Sequence, residues 1–119
     1  MINLGTAALK IFLALEPCDM RKSFNGLTEL ATRHHQTQPT HDTLFVFTNK
    51  NRTRIKLLYF DGTGLWVAVK RLEKGRFSWP KPSEPTQQRI KLQTQALQLL
   101  LDGVDLRGAG FKPWYERPA

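Results

Sequence analysis

Cysteine is nearly missing from this chain. Cys18 stands alone among 119 residues, so no internal disulfide can form and a reducing cytoplasm is the expected compartment. Acid is scarce too: ten Asp and Glu face eighteen Lys and Arg, a net charge of +8 and a pI near 10.1. Such an excess attracts polyanions, with nucleic acid ahead of an anionic membrane surface. No apolar run approaches the roughly 20 residues of a membrane span. The opening "MINLGTAALKIFLALEPC" has no basic stretch before its apolar run, Lys10 interrupts that run, and Glu16-Pro17 is no cleavage site, so no leader is expected.

Chemical motifs are equally thin. His34, His35 and His41 lie close together, but no Cys-x-x-Cys or His-x-x-x-His spacing exists, and no metal site is expected. Ser23 and Ser78 lack a Gly-x-Ser-x-Gly setting, and Cys18 has no base beside it. The "DGTG" stretch lies between two strand-like runs rather than before a helix, which makes it a hairpin turn and not a phosphate loop. Metal-assisted strand chemistry needs converging carboxylates. The candidates are Asp19, Asp61, Glu73, Asp102 and Asp105. Asp19 reads as a helix cap and Asp61 as a turn former, and no spacing unites the five. The expectation is a protein that is no enzyme, with no catalytic residue, metal or cofactor.

What is present is one domain's worth of chain, 40% hydrophobic and 24% charged. "KIFLAL" (10–15) suits a short buried strand closed by Glu16-Pro17. Asp19 then opens a predicted helix, with Met20, Phe24, Leu27, Leu30 and Ala31 on its apolar face. The polar stretch 34–42 reads as a loop. "LFVFTN", "RIKLLYF" and "LWVAVKRL" form a predicted antiparallel meander with turns at "NKNRT" and "DGTG". That register sets Phe60 against Leu65, Tyr59 against Trp66, Lys56 against Val69 and Arg54 against Arg71. "GRFSW" is a further strand candidate, "PKPSEP" an extended connector, and "RIKLQ" a short strand. "TQALQLLLDG" is a helix with Thr94 as cap, Gly103 as stop and a stripe of Leu97, Leu100, Leu101 and Val104. The fold class is therefore α+β: an antiparallel β-meander of four to five strands, with an N-terminal and a C-terminal helix packed on it. Residues 1–106 form the single domain, and 107–119 a flexible tail.

The strongest functional signal is the basic hairpin region. Lys50, Arg52, Arg54, Lys56, Lys70, Arg71, Lys74 and Arg76 face only Asp61 and Glu73 between positions 50 and 76. Like charges opposed across strands cost stability, so Arg54 against Arg71 invites an anionic partner. A basic two-stranded ribbon also suits a DNA groove. Tyr59 and Trp66 are expected in the core, and Trp79, beside Pro80, is the aromatic expected to be exposed for base stacking.

At these residues the chain resembles the small TnpB-type accessory proteins encoded by the second reading frame of the IS66 family of bacterial insertion sequences. The matching stretches are "EPCDMRKSFNGL", where the family reads P-x-D-M-R-K-x-x-x-G-L, then "LFVFTNKNRTRIKLLYFDGTGLWVAVKRLEKGRFSWP" and "LLLDGVDL". Together they run from Pro17 to Leu106. The family's turn more often reads Asn-Arg-Arg-Arg-Asp-Arg and its Tyr-Trp-Asp is "YFD" here. The resemblance implies a role in assisting transposition, with strand cleavage and joining left to a separate, larger transposase, and it transfers no catalytic residue. It adds Arg21 and Lys22 to the expected nucleic-acid contacts, DNA first among ligands and the transposase as protein partner. Two rivals remain open: an adaptor docking on the transposase through Phe111, Trp114 and Tyr115, and a metal-dependent nuclease.

Overall fold

A computed structural model of the chain describes residues 9–35, 40 and 42–105. Its elements run β1 (Lys10–Ala14), α1 (Phe24–Glu29), a π-helical turn (Leu30–His34), β2 (Thr43–Thr48), β3 (Arg54–Phe60), β4 (Leu65–Arg71), β5 (Arg89–Leu92) and α2 (Thr94–Leu101). The five strands form one sheet in the order β4-β3-β2-β1-β5. The hairpin pair β3–β4 has the predicted register at every position, from Arg54 opposite Arg71 to Phe60 opposite Leu65.

The purely antiparallel sheet is corrected to a mixed one. β1 pairs parallel with β2, Lys10 opposite Thr43, and antiparallel with β5 on its other side, Ile11 opposite Leu92. The parallel pair follows from the crossover through α1, because a helical connection returns the chain to the same end of the sheet. For the same reason the first helix is not an N-terminal element: it follows β1. No strand forms over "GRFSW". The expected tail 107–119, and residues 36–39 and 41 of the expected loop, lie outside the described residues.

Strand alternation sends side chains to two cores. Ile11, Leu13, Leu44, Val46, Ile55, Leu57, Ile90 and Leu92 meet Ala96, Leu97 and Leu100 of α2 on one face. Ala14, Phe45, Phe47 and Leu58 meet Leu27 and Ala31 on the other, with Phe45 and Phe47 stacked at 4.7 Å. Covering both faces explains why β2 is buried along its whole length. Leu97 and Leu100 are wholly buried, each stabilising the α2 face by about 1.5–3 kcal/mol. α2 stops at Gly103, whose φ of +78° suits a residue without Cβ and lets its N–H and that of Val104 bond back to Leu100 and Leu99. Its N-cap is Gln93 rather than Thr94.

The first helix begins later than its sequence pattern suggests. Asp19 does not cap it; its carboxylate instead accepts the backbone N–H and guanidinium of Arg21, and its carbonyl the N–H of Lys22. Helix proper starts at Phe24, and the passage into the wider π-turn at Leu30 alters the buried face. Phe24 ends up 46% exposed, while Leu27 and Ala31 are buried.

Candidate nucleic-acid interface

The turn between β2 and β3 is built by Asn49. Its side-chain carbonyl accepts the N–H groups of Thr53 and Arg54, and its amide donates to the Thr53 hydroxyl. This bracing holds Arg52 at φ +59°, a left-handed conformation rarely adopted by residues with a Cβ. The chain leaving β4 then folds back against the same turn: the Leu72 N–H donates to Thr53 and the Phe77 N–H to Arg52. Trp79 anchors the returning segment, donating its indole N–H to the Ala14 carbonyl at 3.0 Å.

These connections shape a cleft of about 670 Å³ at the turn end of the hairpin. Lys50, Arg52, Arg76 and Lys81 line it with Ser78, and among the described residues Asp105 is the single carboxylate of the lining. Around the edge, on the α1 face, lies a shallower hollow of about 400 Å³ holding Arg54, Lys56, Arg71 and Glu73. Arg54 and Arg71 stand directly opposite each other there, with Glu73 3.7 Å from Arg71.

The expected contact residues thus divide. Lys50, Arg52 and Arg76 share the cleft, and Arg54, Lys56 and Arg71 the hollow. The Lys56 ammonium, however, donates to the carbonyls of Met20 and Lys22 at 2.6 and 2.7 Å, fastening the 20–22 loop to β3. That bond brings Arg21 and Lys22 beside the hollow. Arg21 is exposed and its guanidinium holds the Asp19 carboxyl down to about 2. Lys70 donates to the Leu101 carbonyl at the end of α2, on the opposite face. Lys74 is exposed and lines neither recess.

The aromatic expectation is reversed for the two tryptophans, while Tyr59 packs against the α2-face core as expected. Trp79 is only 4% exposed, with its polar atom committed to β1. Trp66, expected in the core, is 45% exposed because β4 is the edge of the sheet. Its indole donates to Asp61 at 2.8 Å. Asp61 also accepts the N–H groups of Thr63 and Gly64 and the Thr63 hydroxyl, and these bonds hold its carboxyl well below the usual carboxylate range. It braces the "DGTG" turn at the far end of the ribbon from the cleft.

Sequence reasoning missed Lys81, Ser78 and Asn49 as parts of the basic site. Lys81 sits in the "PKP" connector and carries no pattern. Asn49, placed between a strand and a cationic turn, was a readable signal for an Asx-type brace. Among the described residues, no three His, Cys, Asp or Glu side chains gather as a metal site requires. His41 lies outside them. Burial raises the Cys18 thiol above its ordinary value, and no described helix is long and apolar enough to cross a membrane.

Comparison with known families matches residues 9–110 to the model described as IS66 Orf2-like protein. The chain belongs to the IS66 Orf2-like family. This membership associates it with insertion sequences. Two relatives from Sinorhizobium fredii (strain NBRC 101917 / NGR234) carry the names uncharacterized protein y4jC and uncharacterized protein y4hO. The first is 30% identical over 105 residues, 88% of this chain and 87% of the relative. The second is 30% identical over 99 residues, 83% of this chain and 84% of the relative. No solved structure matches the chain. The IS66 Orf2-like match spans both basic recesses and every expected contact residue.

Proposed function

We propose that this IS66 Orf2-like protein is a non-catalytic accessory factor of transposition that binds nucleic acid, DNA foremost, and assists a separate transposase. The observation that carries the reading is the convergence of Lys50, Arg52, Arg76 and Lys81 on one cleft with, among the described residues, a single carboxylate in its lining. Exposed cations usually disperse; here backbone bonds from Phe77 to Arg52 and from Leu72 to Thr53 hold two separate segments together so that their charges meet. Arg54 and Arg71 extend the field along the ribbon, and phosphates placed between them relieve the repulsion across the strands. Arg21 and Lys22 border the same surface.

Phosphate contacts release counterions, so affinity falls with salt in proportion to the contacts made. The test is a salt-titrated binding assay with element-end duplex, scrambled duplex and single strands, with and without the transposase. Wild-type affinity should fall steeply with salt. Alanine at both Arg52 and Arg54 should flatten the logarithmic slope on duplex by up to about 1.8, about 0.9 for each lost contact. Binding that ignores salt, or no binding to any of these probes, refutes the proposal.

A further inference from the structure

The two basic recesses differ in depth and chemistry, and that difference names a more specific ligand. The hollow on the α1 face offers the opposed guanidinium groups of Arg54 and Arg71, while its lysine is already committed to backbone carbonyls. It suits the single charge of an internal phosphodiester passing along the strand. The cleft is larger and carries four cations. Arg52, in its lining, occupies a left-handed conformation at a cost in stability, a feature that a ligand site retains when folding alone would remove it.

We propose that this cleft is a subsite for the phosphomonoester at the end of a nucleic-acid strand. The inference rests on the nucleic-acid-binding reading above. A terminal phosphate carries about −1.5 to −2 charges at neutral pH and three acceptor oxygens, where an internal diester carries one charge. Lys50, Arg52, Arg76 and Lys81 match the larger charge and can donate to the additional oxygen. At about 670 Å³ the cleft has the size of a nucleotide site, within the roughly 300–1,000 Å³ usual for ligand clefts, and it is far too small for a duplex. A strand end, unlike a continuous strand, enters such a recess without paying for a sharp bend.

The test uses the full chain and three fluorescent single-stranded DNA oligonucleotides of one sequence, about ten nucleotides long. One bears a 5′-phosphate, one a 3′-phosphate and one hydroxyls at both ends, with the dye attached to an internal base. At constant salt, one or both phosphorylated strands should bind about tenfold tighter than the hydroxyl strand, the scale of one good charge-assisted contact. Comparison of the two phosphorylated strands assigns the end. Arg76→Ala and Lys81→Ala should each cut that preference to about threefold or less. Arg54→Ala should weaken all three strands by one common factor. Equal affinity for the three strands, or a preference that survives both cleft variants, overturns the strand-end subsite while leaving salt-dependent binding intact. Binding to none of the three overturns the strand-end subsite as well, and the nucleic-acid reading falls with it only when the duplexes also fail to bind.

Discussion

Arg52 separates the demands of folding from those of binding, and replacing it with glycine should move the two in opposite directions. Its φ of +59° costs an L-residue roughly 1–2 kcal/mol, a cost that glycine does not bear. Glycine gives back part of that gain, about 0.5–1 kcal/mol, through the greater freedom of its unfolded chain. The backbone bonds of this residue, its N–H to Asn49 and its carbonyl from Phe77, survive the substitution. Arg52→Gly should therefore stabilise the protein by about 0.5–1 kcal/mol. With a urea m-value near 1.5 kcal/mol/M, the unfolding midpoint rises by about 0.3–0.7 M. Arg52→Ala keeps the strain and should stay within about 0.5 kcal/mol of wild type. On duplex, both variants should lose the same affinity and the same salt slope, about 0.9, because both lose one cation. A lower midpoint for the glycine variant would refute the strain argument. Wild-type affinity in both variants would remove Arg52 from the interface.

Other substitutions test the remaining assignments. Lys56→Ala should destabilise by about 1–2 kcal/mol, a charged donor being lost from two carbonyls in a half-buried place, while Arg54→Ala changes urea stability by less than about 0.5 kcal/mol. Trp79→Phe leaves the Ala14 carbonyl without its donor and should cost about 1–3 kcal/mol, with the salt slope of binding unchanged in the folded variant. Asp61 has a folded pKa below its unfolded value of 3.8, so the unfolded chain takes up its proton first as the solution is acidified. Its stabilising contribution is complete above that value and is lost as pH falls through the folded pKa. The Trp66 indole N–H resonance should accordingly hold steady from pH 7 down to 3.8 and move only below it; movement near neutral pH would contradict the Asp61 bond.

Local features of the chain were legible in its sequence. The "DGTG" turn and the alternating runs around it yield the β3–β4 register, since a short hairpin leaves few alternative pairings. Gly103 marks the end of α2 for an equally local reason. The basic character of the hairpin was also readable. Which cations meet one another was not: Arg76 joins Arg52 only because the chain folds back after β4, and Lys56 is withdrawn by a loop more than thirty residues earlier in the chain. Asp19 misled because an acid before an apolar periodicity resembles a cap, while Arg21 two residues on offers its carboxylate a stronger bidentate partner.

The sequence by itself determined the five strands, the second helix and a strongly basic net charge, because these depend on composition and on spacing within one segment. The tertiary structure decided that β1 lies between β2 and β5, that Trp79 is buried and Trp66 exposed, and that four cations from separate segments line one cleft. Those outcomes depend on which distant segment meets which. An apolar run such as "KIFLA" specifies burial on both faces and leaves the neighbour open, and only the packing of the whole sheet selects it.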